Sequence, residues 1–347
     1  MTTQTYSAVF GDELLPGLDV GGYIIHSKIG EGGMGIVYAA VHPVQRTRVA
    51  IKVLGPAFSR DAAMVARFEQ EALMISGMHH PNIVEIHKLG ALVDGRKYIV
   101  MELLEGEPLT ARIDRAPIPA LEGMEIIDAV CDALMAVHAR GIVHRDLKSD
   151  NVFLANIGGA RRVKLLDFGL AKQSSSPSGV KTMVGMVVGT AQYLSPDQIR
   201  GESSSPATDT YSVGILSFKI LVGKVPWDGE QLEILANHLQ TPPPSASDVV
   251  PTIPKGLATL VQRMMAKQAS ERPTLAQVRA AFADIRAGGD GLLQAPPGGT
   301  AAAPVASELD ASVSNAGAGR PAWIYVLLVL AVLASAAIAF AVVRAAR

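Results

Sequence analysis

The spacing of apolar positions divides the chain into a strand-rich first part and a helix-rich second part. Apolar residues cluster in short runs at residues 23–29, 35–42 and 48–54, and two more runs flank a turn at Asp94 and Gly95. Such runs predict strands, here five of them in a small sheet. Elsewhere apolar positions recur every three or four residues, which predicts helices. The predicted helices cover residues 61–78, 122–140, 207–222, 231–239, 255–265 and 274–286.

The end of the chain has a different pattern. Residues 287–321 are rich in Gly, Ala, Pro and Ser without periodicity, which is typical of a linker. Residues 322–343 follow, and from Trp323 onwards they include no charged side chain. At ~1.5 Å per residue such a helix spans about 32 Å, enough to cross a bilayer. We expect one transmembrane helix and a short basic tail at 344–347. A removable lipid-anchor signal and a buried globular helix are the less favoured alternatives.

The composition narrows the classes of function. With 347 residues the chain has room for about two domains. A net charge of −1 argues against a nucleic-acid partner, because phosphate binding needs an excess of basic residues. A single cysteine, Cys131, excludes an internal disulfide and fits a reducing compartment. Residues 1–22 lack the basic and apolar regions of a secretory signal, so we interpret them as a leader.

Two motifs in the second part carry side chains that suit phosphoryl transfer, HRDLKSDN and VKLLDFG. In the first, Asp146 can accept the proton of an attacking hydroxyl, and Lys148 can neutralise the transferred phosphoryl group. Asn151 in the first motif and Asp167 in the second offer oxygen ligands, which Mg²⁺ prefers. The two motifs together predict a phosphotransferase site.

A glycine-rich turn lies between the first two predicted strands. Gly30, Gly32 and Gly35 fit the spacing G-x-G-x-x-G, and Val37 follows. Glycines let the backbone approach phosphates closely and donate N–H groups to them. The same spacing occurs at dinucleotide sites, where a helix follows the turn. Here a second strand follows, which favours a hairpin lid over ATP.

One lysine lies within an apolar predicted strand. Lys52 belongs to RVAIKVL, and burying its charge is costly unless the charge is paired. On the predicted helix at 61–78, Glu71 shares a face with Phe68, whereas Glu69 points elsewhere. We therefore choose Glu71 as the partner of Lys52. The alternative is that both glutamates lie on a solvated face.

These motifs, in this order, resemble those of the protein-kinase superfamily. HRDLK-x-x-N, DFG, the glycine-rich turn and V-A-I-K are its motifs, and Lys148 is typical of the Ser/Thr branch. The resemblance implies an α+β fold with two lobes over residues 23–286, a small lobe at 23–102 and a larger one at 103–286. It also implies ATP as substrate, Mg²⁺ or Mn²⁺ as cofactor, and protein Ser/Thr hydroxyls as acceptors. In this family the lysine at the position of Lys52 holds the α- and β-phosphates.

The resemblance also implies how the adenine is bound. Met101 would be the gatekeeper, and the backbones of Glu102 and Leu104 would bond the adenine edge. Apolar side chains from both lobes would line the purine slot. These are Ile29, Val37, Ala50, Leu104 and Phe153.

A polar, irregular segment follows the second motif and resembles the activation segment of the family. Thr190 in this segment would contact Asp146 and Lys148. Arg145 would receive a phosphate added to the segment, since phosphates order loops through arginine pairs. The candidate phosphorylation sites are, in order of preference, Thr182, Ser178 and Ser174 to Ser176.

One motif departs from the family pattern. The A-P-E of the family is S-P-D here, so Asp197 supplies a carboxylate that is one methylene shorter. A pair between Asp197 and Arg272 is possible, although the shorter side chain puts its geometry in question. Asp209, near the start of an apolar helix, would bond the backbone of the catalytic loop.

These features predict a Ser/Thr protein kinase that phosphorylates other proteins and, in trans, copies of itself. A nucleotide-binding pseudokinase scaffold is the first alternative, and Asp197 is its only support. A small-molecule phosphotransferase is the second. The segment GTAQYLSPD, which resembles a polypeptide-docking platform, argues against it.

The orientation in the membrane rests on two opposing arguments. Two arginines follow the predicted span and Arg320 precedes it, which weakly favours a cytoplasmic C-terminus. A kinase domain needs ATP, which favours a cytoplasmic N-terminal domain, and we give this argument more weight. We therefore expect a single-pass protein of the cell membrane, with its kinase domain in the cytoplasm and the lipid bilayer as a partner.

Overall fold

The computed structural model describes residues 13–32, 34–167 and 191–291, all of which belong to one unit, Met1–Ala295. Within these ranges no helix has the length and apolar character needed to cross a membrane. The helix predicted at 322–343 lies outside the described residues, as do most of the linker before it and the tail after it.

The first lobe is an antiparallel sheet with two helices beside it. Its strands are β1 (Asp19–Val20), β2 (Tyr23–Gly32), β3 (Gly35–Val41), β4 (Arg48–Leu54), β5 (Ile86–Ala91) and β6 (Lys97–Glu102). Their order across the sheet is β1-β2-β3-β4-β6-β5. The helices are α1 (Pro56–Ser59) and α2 (Ala62–Ile75). The sheet has six strands where we predicted five, because β1 is two residues long and too short to show a periodic pattern.

Alternation along β4 assigns the two faces of this sheet. Val49, Ile51 and Val53 are buried in the core of the outer face. Successive side chains of a strand point to opposite faces, so Ala50 and Lys52 lie on the other face. That face looks towards α2 and the second lobe, and it carries the lysine of V-A-I-K.

The segment before β1 covers the outer face. Leu14 and Leu18 are buried in the same core as the strands. The N–H of Leu14 donates a hydrogen bond to the buried Tyr38 hydroxyl at 2.8 Å. The sequence alone assigned residues 1–22 to a leader, whereas residues 13–22 pack on the sheet and form part of this lobe.

The N-cap residue Asp61 fixes the start of helix α2. The Asp61 carboxylate accepts the N–H groups of Ala63 and Met64, so the helix starts at the predicted position. It ends three residues before the predicted end, because Ser76 leaves the helical conformation with ψ 134° and Gly77 has φ 72°. Its buried residues are Phe68, Ala72 and Ile75.

The second lobe is mainly helical and contains a small antiparallel sheet. The strands β7 (Gly106–Pro108), β8 (Val152–Ile157) and β9 (Ala160–Leu165) pair in that order. The helices are α3 (Leu109–Arg115), α4 (Ala120–His138), α5 (Pro196–Arg200), α6 (Pro206–Val222), α7 (Gln231–Gln240), α8 (Ala246–Val249), α9 (Lys255–Met264) and α10 (Leu275–Arg286). The five longest lie within two residues of their predicted bounds. The three short ones span seven residues or fewer and show no period.

Helices α4 and α6 form the centre of the second lobe's core. Twelve of the seventeen residues of α6 are buried, and Cys131 on α4 is fully buried. Burial raises the pKa of the Cys131 thiol, which keeps it protonated and unreactive. The catalytic-loop motif follows α4 directly and lies against the first turn of α6.

Candidate active site

Lys52 and Asp167 meet in the cleft between the lobes. The Lys52 ammonium donates a hydrogen bond to Asp167 Oδ1 at 2.8 Å, and the two residues are 115 positions apart in the chain. Burial lowers the pKa of Lys52, but the charges of Asp167 and Glu71 outweigh it and raise the pKa above its usual value. Burial opposes the charge of Asp167 as well, yet Lys52 holds the pKa of this carboxyl below its usual range. Both groups are therefore charged at neutral pH.

Helix α2 supplies the second carboxylate of this group. Glu71 lies on the helix face of the buried Phe68, and its negative charge acts on Lys52. Glu69 instead forms an ion pair with Lys97 at 2.8 Å. Of the two glutamates that the sequence offered, Glu71 is thus the one that faces the cleft.

The sheet beside Lys52 presents small apolar side chains to the cleft. Val37 on β3 is the cross-strand partner of Lys52, and Ala50 on β4 is that of Met101 on β6. Directly opposed residues share a face, so these side chains form one surface next to the lysine. Ile29 on β2 is half-exposed. The partly buried Phe153 on β8 belongs to the opposite lobe.

A partly buried ion pair fixes the end of β6. The Glu102 carboxylate accepts a hydrogen bond from Lys164 on β9 at 2.5 Å and another from the N–H of Glu85 at 2.9 Å. The N–H of Glu102 donates to the carbonyl of Glu85. Leu104 follows in the connection between β6 and β7, outside both sheets. The end of β6, which leads into this connection, is therefore held by Glu85, directly before β5, and by Lys164 on β9. We predicted backbone contacts to adenine in this connection.

The glycines at the turn between β2 and β3 are needed for different physical reasons. A Cβ on Gly35 would collide with the carbonyl oxygen of Val53, so packing requires glycine there. A Cβ on Gly32 would meet no atom of the described residues within 4 Å, and one on Gly30 would only touch Val37 at 4.0 Å. Packing does not explain Gly30 and Gly32, whereas a close approach of phosphates to the backbone would.

Asp209 fixes the backbone of the loop that carries HRD. Its fully buried carboxylate accepts the N–H groups of His144 and Arg145, both at 2.8 Å. His138 Nε2 lies 2.7 Å from the same carboxylate. Arg145 has φ 65°, a left-handed conformation that costs free energy for a residue with a Cβ. The bonds from Asp209, and a hydrogen bond from Gln198 Nε2 to the Arg145 carbonyl at 2.9 Å, hold it there.

The loop places three polar side chains together. Lys148 Nζ lies 3.9 Å from Asp146 Oδ2, and Asn151 Nδ2 donates to the Asp146 carbonyl at 2.8 Å. Because the Asn151 amide nitrogen makes this bond, its Oδ1 is left as an acceptor. The Asp167 carboxylate is the second oxygen donor, because only its Oδ1 accepts the bond from Lys52. An amide oxygen and a carboxylate fit a hard divalent cation such as Mg²⁺ or Mn²⁺.

Residues 191–197 are anchored to the second lobe at both ends. The Tyr193 hydroxyl lies 3.2 Å from Ser149 Oγ in the catalytic loop. The buried carboxylate of Asp197 accepts two hydrogen bonds from Arg272, at 2.6 and 3.0 Å. The shorter side chain of Asp197 thus still reaches the arginine.

The expected phosphorylation sites Thr182, Ser178 and Ser174 to Ser176 lie outside the described residues, and so does Thr190. Arg145, the expected phosphate partner, has its Nε buried without a hydrogen-bond partner among the residues that the structure describes.

Sequence reasoning missed several residues that support this site. Lys164 could have been found, since it lies in an apolar run and needs a partner, as Lys52 does. Gln198 is at the N3 position of a capping box whose N-cap is Ser195, a pattern visible in the sequence. His138 gave no signal, because only the fold brings α4 to Asp209.

The two lobes, with Lys52 and Asp167 joined across the cleft, define a protein kinase. The chain belongs to the protein kinase domain family, which matches residues 23–281. This match confirms the family resemblance and the bilobal fold.

Several bacterial serine/threonine-protein kinases are similar in sequence to this chain. It is 38% identical to the serine/threonine-protein kinase Pkn1 of Myxococcus xanthus over 74% of this chain and 37% of Pkn1. It is 36% identical to PknA of Mycobacterium tuberculosis over 87% of this chain and 70% of PknA. The crystal structure of the M. tuberculosis PknI kinase domain aligns with a TM-score of 0.62 and 28% identity, over 78% of this chain and 99% of that domain. The kinase domain is thus of the serine/threonine type, and the chain spans little more than a third of the length of Pkn1.

Proposed function

We propose that this chain is a serine/threonine protein kinase that transfers the γ-phosphoryl group of ATP to Ser and Thr hydroxyls of proteins. The observation that carries the proposal is the Lys52–Asp167 bond across the cleft, opposite a rigid loop that holds Asp146, Lys148 and Asn151 together. Every polar group that phosphoryl transfer needs from a kinase is present. This completeness argues against the pseudokinase alternative.

In the proposed mechanism each residue has one task. Lys52 binds the α- and β-phosphates, and Glu71 helps to keep its ammonium in place. Asp146 orients the acceptor hydroxyl and takes its proton as the oxygen bonds to the γ-phosphorus. The bond from that phosphorus to the β–γ bridging oxygen breaks, and ADP leaves with the electron pair. Lys148 neutralises the oxygens of the transferred group.

Asn151 Oδ1 and Asp167 would hold the divalent cation, Mg²⁺ or Mn²⁺. The bound ion supplies neutralisation of the phosphate charge. Thr190 would join Asp146 and Lys148 from the activation segment, as the family resemblance implies. The purine would lie against the apolar surface that Val37 and Ala50 form.

The substitution Asp146→Asn tests the proposal. It removes the proton acceptor and keeps the shape, so kcat for a protein substrate should fall by ~100-fold or more. ATP affinity, measured by titration calorimetry in the presence of Mg²⁺, should change little. The matched control is Asp114→Asn on the exposed side of α3, which should leave both quantities unchanged.

Two outcomes would contradict the proposal. Normal turnover by the Asp146→Asn variant would exclude the role of Asp146. A wild-type protein that binds ATP but labels no protein would favour the pseudokinase scaffold, and label found only on a metabolite would favour a small-molecule phosphotransferase.

Autophosphorylation in trans belongs to the same proposal. Among the residues that the structure describes, the buried Arg145 Nε next to Asp146 has no hydrogen-bond partner. This supports autophosphorylation, because a phosphate on the activation segment would give this arginine an anion. Thr182 is the preferred site. Mass spectrometry after incubation with ATP should find phosphate on Thr182, and Thr182→Ala should lose the accompanying rise in activity. A rise in activity with Thr182 unmodified would contradict this assignment.

We also propose that residues 322–343 tether the chain to the cell membrane as a single span, with the kinase domain in the cytoplasm. The uncharged stretch in the sequence supports this tethering. The full chain expressed in cells should stay in the membrane fraction after alkaline washing. Placing Lys at Leu330 and Leu333 should release it, because charges at the centre of a span are costly. Release of the unmodified chain by the wash would contradict tethering.

A further inference from the structure

Both peptide groups that flank Arg145, the residue before Asp146, are bonded to other elements of the second lobe. The Arg145 N–H donates to the Asp209 carboxylate on α6 at 2.8 Å, and the Arg145 carbonyl accepts a hydrogen bond from Gln198 Nε2 on α5 at 2.9 Å. Peptide groups are planar, so these bonds fix the backbone rotation on both sides of the Arg145 Cα atom. They hold its φ at 65°, which is unfavourable for a residue with a Cβ. The peptide group bonded by Gln198 is the one that leads directly into Asp146.

The side-chain amide of Gln198 makes two bonds of opposite kind. Its Oε1 accepts a hydrogen bond from the N–H of Ser195 at 3.1 Å, which completes the capping box of α5. Its Nε2 donates the bond to Arg145, 53 positions away in the chain. A capping box accepts Glu or Gln at this position, but a carboxylate has no N–H to donate. The cap therefore explains the oxygen of this side chain, and it does not explain the nitrogen.

Helix α5 gives Gln198 a fixed support. Asp197, its neighbour in the sequence, accepts two hydrogen bonds from the buried Arg272, at 2.6 and 3.0 Å. Residues 191–197 belong to the segment that resembles a polypeptide-docking platform. One amide thus joins the segment where a protein acceptor would dock to the backbone beside Asp146.

Helix α10 begins with a capping box of the same kind. Gln277 Oε1 accepts a hydrogen bond from the N–H of Thr274 at 2.9 Å, and Gln277 is partly buried, as Gln198 is. Helix α10 packs on α4 and α9. Among the residues that the structure describes, no hydrogen bond joins Gln277 to the catalytic loop. Gln277 is therefore a matched control, a glutamine that only caps a helix.

We propose that Gln198 is a positioning residue for phosphoryl transfer, which orients the peptide group before Asp146 so that the Asp146 carboxylate faces the acceptor hydroxyl. The proposal rests on the kinase function proposed above. Asp209 holds the preceding peptide group, and both bonds together keep Arg145 at its φ. Gln198 acts through the backbone and not on the reacting atoms, so its loss should slow the transfer step and leave ATP binding intact.

Two substitutions separate the two bonds of this amide. Gln198→Glu keeps an oxygen for the capping box and places a second oxygen against the Arg145 carbonyl, so kcat for a basic protein substrate such as histone should fall about tenfold. The KM for ATP should change by less than about twofold. Gln198→Lys lacks the capping oxygen but can still donate to the carbonyl, so it should keep more of kcat than Gln198→Glu does. The matched variants Gln277→Glu and Gln277→Lys should leave kcat within about twofold of the wild type.

Urea unfolding of the four variants measures the effect on the caps. The Lys variants at both positions should be less stable than the Glu variants, since they lose the capping oxygen and place a positive charge in the first turn of a helix. A purely structural role of Gln198 therefore predicts the lower kcat for Gln198→Lys, and this order would overturn the proposal. A kcat of Gln198→Glu within about twofold of the wild type, or an equal loss of kcat and of ATP affinity, would overturn it as well and leave the kinase function intact. A wild type that phosphorylates no protein would instead overturn the kinase function itself.

Discussion

Arg272 uses its whole guanidinium inside the second lobe. Besides both oxygens of Asp197, it donates hydrogen bonds to the backbone carbonyls of Ala207, Ala266 and Lys267. Its side chain is completely shielded from water. A guanidinium is planar and has several fixed donors, so lysine cannot reproduce this set of bonds.

Removing this arginine should therefore be costly. Arg272→Ala leaves the buried Asp197 without its partner, and we expect a loss of ~3–5 kcal/mol in the free energy of unfolding. Arg272→Lys should recover only part of it. The control is Arg200→Ala, which removes the more exposed pair with Glu202 and should cost less than ~1 kcal/mol. Urea unfolding of the three variants and the wild type measures the free energy of unfolding. Equal losses of this free energy for Arg272→Ala and Arg200→Ala would contradict the interpretation of a buried ion pair.

His238 makes the stability of the fold depend on acid. The ring is fully buried, with Nδ1 at 2.8 Å from the Tyr211 hydroxyl. Burial, with the nearby charge of Lys267, lowers the pKa of His238 to about 3. An unfolded histidine titrates near pH ~6.5, so between these values the unfolded chain binds the additional proton. Stability is then lost as the pH falls through that window, by up to ~1.4 kcal/mol per pH unit from this group.

The substitution His238→Gln should flatten this dependence. Urea unfolding at pH 7 and pH 5 should show a smaller difference for the variant than for the wild type, although the buried His144, whose pKa is also lowered by burial, leaves a remainder. His79→Gln, at a side chain that is 79% exposed, is the control and should behave as the wild type. An unchanged pH dependence in His238→Gln would show that this ring titrates normally.

Among the single elements, we expect helix α2 to connect folding to nucleotide binding. Its N-cap Asp61 fixes where the helix starts, and the helix carries Glu71 towards Lys52. Asp61→Ala should cost ~1 kcal/mol of helix stability and weaken ATP binding about two- to fivefold. Thr274→Ala removes a comparable N-cap from α10, away from the cleft, and should destabilise the fold without changing ATP affinity. Titration calorimetry separates the two variants, and an equal loss of affinity in both would contradict the connection.

The elements differ in how far the sequence determines them. The start of α2 follows from Asp61 and its period, which are local properties. Strand β1 has two residues and forms only because β2 lies beside it. The bond between Lys52 and Asp167 joins residues 115 positions apart, so local patterns could identify each residue but only the family resemblance could bring them together. The hydrogen bond from Lys219 Nζ to Ser149 Oγ at 3.1 Å had no signal, because a lysine at a helix end is common on surfaces.

At the scale of the whole molecule, the segment before β1 completes the first lobe. Tyr38→Phe removes the acceptor of the buried Leu14 N–H and should cost ~1–3 kcal/mol, since an unpaired buried donor is penalised. Proteolysis near residue 14 should become faster as well. The control is Tyr23→Phe, at a partly buried ring beside His42, which should cost less. Equal stability of the two variants would show that the segment adds little to the lobe.

Because Asp209 anchors the catalytic loop to the second lobe, we expect nucleotide exchange to be independent of the groups that would activate the hydroxyl. The second lobe holds the loop with Asp146, Lys148 and Asn151. Lys52 belongs to the first lobe and donates its hydrogen bond across the cleft to Asp167. We therefore expect the Lys52–Asp167 pair to part when ATP is loaded and ADP is released, while the Glu102–Lys164 pair joins the lobes behind the cleft. The loop that would activate the hydroxyl should stay assembled throughout the cycle, because Asp209 holds its backbone within the second lobe.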